Sequence, residues 1–168
     1  MEKGSQKFRF IQLTMLNKKN VVIILDNIRS VHNVGAILRT ADGAGSKEVL
    51  LCGITPTPEH KKVHKTALSA EEYVNWKYFK NTEDAIKYSK EQGYTVYSVE
   101  QDANSVDINQ IELPLNCAFL FGNEITGVAP SIKAMSDFII ELPMIGKKNS
   151  LNVATCVGII TYYTKLQI

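Results

Sequence analysis

Three stretches of this 168-residue chain carry polar side chains that packing alone does not ask for. The first runs Leu25-Asp-Asn-Ile-Arg-Ser-Val-His-Asn-Val-Gly-Ala-Ile-Leu-Arg-Thr-Ala-Asp-Gly-Ala-Gly. Val34, Ile37, Leu38 and Ala41 fall at helical spacing, and Asn33 is placed to cap that helix. Arg39 lies off the apolar stripe, four residues after Gly35, so its stem is expected to cross open space that a bulky ligand would fill. The alternative is a capping amide followed by a surface arginine. The second stretch is Phe119-Leu-Phe-Gly-Asn-Glu-Ile-Thr-Gly-Val, where a buried run stops at glycine and Asn123 and Glu124 follow at once. It reads either as a glycine-bounded polar turn or as a ligand loop whose backbone faces a nucleoside while Glu124 anchors an arginine or a substrate. The third is Ile140-Glu-Leu-Pro-Met-Ile-Gly-Lys-Lys-Asn-Ser-Leu-Asn-Val-Ala. Ser150 is expected to cap the last helix and Asn152 to sit in its first turn, where a buried amide needs partners. Lys147 and Lys148 beside it suit phosphate.

Other sites fail on residue type. No G-x-G-x-x-G follows a strand, and Glu141 stands where a phosphate-binding P-loop needs its first glycine. His60 and His64 are four apart, but Lys61, Lys62 and Val63 between them supply no carboxylate, so they read as solvated polar residues. Cys52, Cys117 and Cys156 form no C-x-x-C pair and read as small hydrophobes; no metal is expected.

The elements that must position these loops are legible as alternating patterns. Buried strands are predicted at Val21 to Asp26, Glu48 to Gly53, Thr95 to Glu100, Cys117 to Gly122 and Phe138 to Pro143. Helices are predicted at Asn33 to Gly45, Thr82 to Gly93, Pro130 to Met135 and Ser150 to Lys165, with Thr55 to Lys62 the most loop-like stretch. The alternation predicts an α/β fold with a parallel sheet flanked by helices. Gly45 and Gly93 suit helix ends, whereas Gly53, Gly122, Gly127 and Gly146 follow strand C-termini, where open sheets of this kind leave a ligand crevice. The last helix is apolar nearly all round, from Leu151 to Ile160. That implies a central position or cover by a second subunit, with Ala154 and Gly158 admitting a close backbone.

Composition fits one globular domain: 45% hydrophobic, 21% charged, 19 Lys and Arg against 17 Asp and Glu. Apolar runs are too short to span a bilayer and no hydrophobic signal core opens the chain, so a cytoplasmic location is expected. Residues 1–20 form a short basic arm holding Lys7 and Arg9, and residues 21–168 form the single domain. The net charge of +2 does not by itself imply nucleic acid, and the arm is either solvated or contacts phosphate. Lys7, Arg9, Lys147, Lys148 and the arginine after Ile28, Arg29, are the candidate RNA contacts.

Taken together and in order, Asn33-Val-Gly-Ala-Ile-Leu-Arg39-Thr-Ala-Asp-Gly-Ala-Gly45, Phe121-Gly-Asn-Glu124-Ile-Thr-Gly127 and Leu142-Pro-Met-Ile-Gly-Lys-Lys-Asn-Ser150-Leu-Asn152-Val-Ala resemble the three motifs of the SpoU (TrmH-like) RNA ribose methyltransferases of the SPOUT superfamily. The resemblance spans Asp26 to the C-terminus. It implies a deep trefoil knot in the C-terminal half, a homodimer, and S-adenosyl-L-methionine bound bent by loops that include Val99, Gly122, Asn123, Leu142, Ile145, Gly146, Ser150 and Leu151. It further implies that Arg39 is the central catalytic residue, contacting the target phosphate and favouring loss of the ribose hydroxyl proton. Asn33 would hold the first motif and the substrate, Glu124 would orient Arg39 or a partner's loop, and Ser150 and Asn152 would place ribose and cofactor. With no extra domain in this short chain, tRNA is expected ahead of ribosomal RNA. The competing readings are a non-catalytic knotted RNA-binding dimer and a knotted enzyme that methylates a base nitrogen.

Overall fold

The computed structural model describes residues 19–167. The basic arm, with Lys7 and Arg9, lies outside the described residues apart from Lys19 and Asn20. The strands are β1 (Asn20–Asp26), β2 (Glu48–Cys52), β3 (Trp76–Phe79), β4 (Thr95–Val99), β5 (Val106–Asp107), β6 (Asn116–Phe121) and β7 (Phe138–Glu141). They make one seven-stranded sheet, in the order β3-β2-β1-β6-β4-β7-β5, and every pairing is parallel. The helices are α1 (Val31–Gly43), α2 (Lys61–Ala67), α3 (Thr82–Glu91), α4 (Pro130–Lys133) and α5 (Val153–Leu166), joined by short 3-10 turns at Ala70–Glu72 and Ile108–Gln110.

The central strands are apolar on both faces because both faces are covered. Val21, Ile23 and Leu25 of β1 share a core with Cys117, Phe119 and Phe121 of β6, with Val34, Ile37 and Leu38 of α1, and with Val157 and Ile160 of α5. The intervening Val22, Ile24, Ala118 and Leu120 point the other way, onto Ala85 and Ile86 of α3 and Ile132. This two-residue alternation, in the register Val21 with Cys117 and Ile23 with Phe119, fixes the order of the middle strands. Among the described residues no helix is long and apolar enough to cross a membrane.

Several local expectations are corrected. β3 was not read: Trp-Lys-Tyr-Phe is a four-residue edge strand, only half covered, so it lacks the buried run that marks its neighbours. β5, of two residues, is shorter still. Part of the expected loop folds as α2, where His60 Nδ1 accepts from Lys62 N at 3.2 Å and only Val63 and Ala67 are buried. The cap of α1 is Ser30, not Asn33; its hydroxyl accepts from Asn33 N at 3.3 Å. The cap of α5 is Asn152, not Ser150, its side-chain oxygen accepting from Ala154 N at 2.9 Å and Thr155 N at 3.3 Å. The space over Gly35 is not open, since a Cβ there would lie 2.0 Å from Thr66 Oγ1, so α1 and α2 touch where ligand space was expected. Gly158 faces Thr40 of α1 in the same chain, with 3.8 Å between a Cβ placed there and Thr40 Cγ2. The close approach on that side is therefore intramolecular.

At the end of α5, Lys165 is 6% exposed and its Nζ donates to Lys19 O at 2.7 Å and Gly45 O at 2.9 Å. One ammonium thus ties the C-terminal helix to the start of β1 and the end of α1. Burial holds its pKa below the usual lysine value. After α2 the chain turns through two consecutive left-handed residues, Leu68 at φ 53° and Ser69 at φ 65°. Neither is glycine, so both carry the Cβ clash of that region. Ser69→Gly is expected to raise stability by roughly 0.5–1 kcal/mol in urea unfolding, and Ser69→Val to lower it.

Candidate active site

Parallel strands all end on one edge of the sheet, and the loops leaving β1, β4, β6 and β7 enclose a cavity of about 960 Å³ there. Its apolar surface comes from Val99, Phe121, Leu142 and Cys156, and its polar wall from Asn33, Asn123, Glu124, Ser150 and Asn152. Gly122 and Leu151 also line it, as do Arg29, Ser30, Glu100, Gln101 and Glu141. Its size lies within the range of small-molecule and cofactor sites.

Glu124, Asn33 and Asn152 of this wall form one hydrogen-bonded chain. Glu124 Oε2 accepts from Arg29 N at 3.0 Å, and its Oε1 accepts from Ser30 N at 3.2 Å and from Asn33 Nδ2 at 2.9 Å. Asn33 Oδ1 then accepts from Asn152 Nδ2 at 3.1 Å, and Asn152 caps α5. A carboxylate beside the N-terminus of α1 also opposes the positive end of that helix's dipole. The loop that carries Glu124 is fixed in turn by Asn123, whose Nδ2 donates to Asn27 O at 2.8 Å and whose Oδ1 accepts from Ile125 N at 2.9 Å and Thr126 N at 3.2 Å. Asn27 itself takes a left-handed φ of 55° and receives Ile54 N on its Oδ1 at 3.1 Å.

The same loop doubles back on bare backbone. A Cβ at Gly122 would stand 2.4 Å from Gly127 C, and one at Gly127, whose φ is 65°, would stand 2.4 Å from Glu100 Oε2. Glu100 also accepts from Val128 N at 3.0 Å and Gln101 N at 3.1 Å, clamping the loop to the end of β4.

Of the residues singled out from sequence, Asn33, Glu124, Ser150 and Asn152 meet at this cavity with Val99, Gly122, Asn123, Leu142 and Leu151. Gly146, Lys147 and Lys148 line an adjoining space of about 580 Å³ that shares Gln101, Glu141, Met144 and Asn149 with the first. Ile145 is 98% exposed and lines neither space. Arg39 is not brought in: it stands exposed on α1, outside the cavity lining and without an ion pair among the described residues. Glu124 therefore orients the start of α1 and Asn33 rather than Arg39 within one chain. Glu100 falls in the loop Val99 to Gln101 that the resemblance assigns to the cofactor, whereas Glu141, the last residue of β7, lines the cavity without having been singled out.

Cys156 is no nucleophile at neutral pH. Burial, helped by the Glu100 charge, pushes its thiol up to about 11. Cys52 and Cys117, more deeply placed, are pushed up to about 12 by burial. The cavity thus offers an apolar floor, amides and hydroxyls for a nucleoside, and the carboxylates of Glu100, Glu124 and Glu141 for a cationic ligand. S-adenosyl-L-methionine carries a nucleoside, a sulfonium and an ammonium, and fits that set of donors and acceptors.

A parallel α/β sheet with its crevice built from three interlocked loops at strand C-termini defines the class. Residues 20–162 match the SpoU rRNA Methylase family, so the chain belongs to that family. It is 27% identical over 163 residues to the tRNA (guanosine(18)-2'-O)-methyltransferase of Thermus thermophilus, covering 97% of this chain and 83% of that protein. It is 32% identical over 168 residues to an uncharacterized tRNA/rRNA methyltransferase of Borreliella burgdorferi, covering 98% of this chain and 72% of that one. Among solved structures it is similar to an AdoMet-bound rRNA methyltransferase from Sinorhizobium meliloti, with a TM-score of 0.80 at 28% identity over 88% of this chain and 56% of that one. A TrmH/SpoU tRNA modifying enzyme from A. aeolicus gives a TM-score of 0.76 at 26% identity, over 96% of this chain and 83% of that one.

Burial alone would raise the Glu124 pKa, but the N–H donors of Arg29, Asn33 and Ser30 outweigh it and hold the carboxyl below its ordinary value. A carboxylate lowered on folding contributes stability above its unfolded pKa and loses it as pH falls through the lower folded value. Glu124→Ala is expected to cost about 1 kcal/mol at pH 7, the size of a lost helix cap, with the gap from wild type closing below about pH 4. Urea unfolding across pH 3 to 7 measures this.

Proposed function

We propose that this chain is an S-adenosyl-L-methionine-dependent RNA 2′-O-methyltransferase, with tRNA its favoured substrate, working in the cytoplasm as a homodimer. The observation that carries the reading is the chain Glu124–Asn33–Asn152, which locks three separate loops into one wall of a cofactor-sized cavity in a member of the SpoU family. The name of the Thermus relative supports tRNA as the RNA.

The bound cofactor supplies a sulfonium methyl that is already electrophilic. Val99, Leu142 and Leu151 would hold its apolar parts, and Gly122, Asn123 and Ser150 would face its polar ones. The part left to the protein is nucleophile alignment, because a ribose hydroxyl is a poor nucleophile near neutral pH. Asn33, Ser150 and Asn152 orient the ribose. Arg39 binds the target nucleotide's phosphate and stabilises the oxyanion as the hydroxyl proton leaves, its guanidinium staying charged throughout. Gly146, Lys147 and Lys148 border the adjoining space, where the two lysines would meet RNA phosphate.

The homodimer reading explains why Arg39 is outside the cavity of its own chain. Ile159, Tyr162 and Leu166 leave α5 with 43%, 46% and 59% exposure, an apolar face uncovered in the single chain. Arg39 adjoins Thr40, which packs on Gly158, so a second copy seated on that face would carry Arg39 toward the neighbouring cavity. A trefoil knot in the C-terminal half is supported by the sheet order, in which β6 inserts between β1 and β4 while β7 goes to the far side of β4, and by the family's fold.

Transfer of labelled methyl to fractionated tRNA and ribosomal RNA, with nucleoside analysis, tests the reaction. A 2′-O-methylnucleoside in the tRNA fraction is expected. Label in ribosomal RNA alone would replace the substrate, a methylated base would replace the reaction, and cofactor binding without transfer would leave an RNA-binding dimer. Arg39→Ala should lower the transfer rate by at least ~10² while cofactor affinity changes only a few-fold, because its contact forms in the transition state. In sedimentation, the wild type should run as a dimer and Ile159→Glu as a monomer that still binds cofactor and has lost transfer.

A further inference from the structure

Helix α2 presents a face that the methyl-transfer reading does not use. In α2, Val63 and Ala67 are buried while Lys61, Lys62 and Lys65 are exposed. At 100° per residue Lys61 and Lys65 fall opposite Val63, with Lys62 on the flank beside them. None of them has an ion pair among the described residues. Their neighbour His64 is instead paired with Glu71, which holds α2 against the turn that follows.

This face is fixed to the active site through the backbone of one short turn. The loop leading to α2 is bonded to the turn after β1: Ile54 N donates to Asn27 Oδ1 at 3.1 Å, Ile28 N donates to Thr55 Oγ1 at 3.0 Å, and the Thr55 hydroxyl donates to Leu25 O at 3.1 Å. The far side of that turn, at Arg29, lines the cavity. Tyr78 lies on β3, the edge strand next to β2, and is 50% exposed; its hydroxyl donates to Gly53 O at 2.9 Å, where the loop leading to α2 begins. The ring is held by that bond with much of its surface open.

We propose that Lys61, Lys62 and Lys65 of α2, with the Tyr78 ring, form an RNA-docking surface for the strand flanking the target nucleotide. The inference rests on the reading of this protein as an RNA methyltransferase and adds where the RNA runs. The occupant follows from charge and chemistry. Three uncompensated cations on two turns of helix match consecutive phosphates, Lys61 and Lys65 being separated by about 6 Å along the axis. An exposed aromatic ring pinned to Gly53, at the start of the loop that leads to these lysines, matches an unstacked base, because stacking asks for a flat face and no particular sequence. An acidic protein surface would satisfy the lysines but gives the ring no role.

The test is equilibrium binding of unfractionated tRNA between 50 and 300 mM KCl, in the presence of S-adenosylhomocysteine. The triple variant Lys61→Gln, Lys62→Gln, Lys65→Gln is expected to bind at least about tenfold more weakly at low salt, and its plot of log affinity against log salt should be shallower by about 2 to 3. Tyr78→Ala should weaken binding by about 5-fold or more with the slope unchanged, and Tyr78→Phe should keep the affinity. Lys87→Gln, on α3 across the sheet, is the control and should lower the slope by less than one. Cofactor affinity and melting temperature should match wild type in every variant. An unchanged slope in the triple variant, with wild type binding RNA, overturns this surface and leaves the methyltransferase reading standing. Wild type that binds cofactor and no RNA overturns both.

Discussion

The site depends on one carboxylate being placed where backbone N–H groups have no other partner. Every helix begins with unpaired donors, and α1 begins beside the crevice. Glu124 comes from a loop more than ninety residues further along and accepts from Arg29 N and Ser30 N, in the turn that leads into α1, together with the Asn33 amide. Without it, that turn would present unsatisfied N–H groups to the cavity, and the Asn33 side chain would lose the contact that orients it toward Asn152. The bond ties the turn before α1, a helix capped by Ser30, to the loop after β6. It sets the distance between the ends of β1 and β6, and Asn152 passes that placement on to the start of α5.

This explains which parts of the molecule were legible in the amino-acid order and which were not. Central strands announce themselves because burial on both faces demands unbroken apolar runs, and the glycines after them mark the crevice edge. The three polar loops were recognisable for the same reason, since nothing in packing requires Asn123, Glu124 or Asn152. Their mutual bonds were not, because each joins residues about ninety to a hundred and twenty positions apart. The caps show the difficulty at small scale. Ser30 and Asn33 can both cap α1, as Ser150 and Asn152 can both cap α5, and long-range partners decide between them. Asn33 is engaged by Glu124, leaving Ser30 to the helix, whereas Asn152 uses its oxygen for α5 and its amide for Asn33.

Edge elements escaped for a different reason. β3 and α2 bury few side chains, so they leave little periodic trace, yet they bear the exposed Tyr78 and the three lysines. Gly35 illustrates the converse error: a missing side chain was taken as room for a ligand, and the room is occupied by Thr66. A glycine in a helix marks a close neighbour as readily as a binding site, and only the packing of the next element distinguishes the two.

The loops around the cavity differ sharply in how much change they would tolerate. Where Gly122 meets Gly127 the chain is folded backbone against backbone, with Glu100 closing the stack, so neither glycine has room for a side chain. The segment after β7 is the opposite, since a Cβ on Gly146 would meet nothing within 4 Å and Ile145 stands almost wholly in solvent. Substitutions are therefore absorbed far more readily at Ile145 and Gly146 than at Gly122 and Gly127, so the two sides of one cavity differ in how freely their sequence can vary.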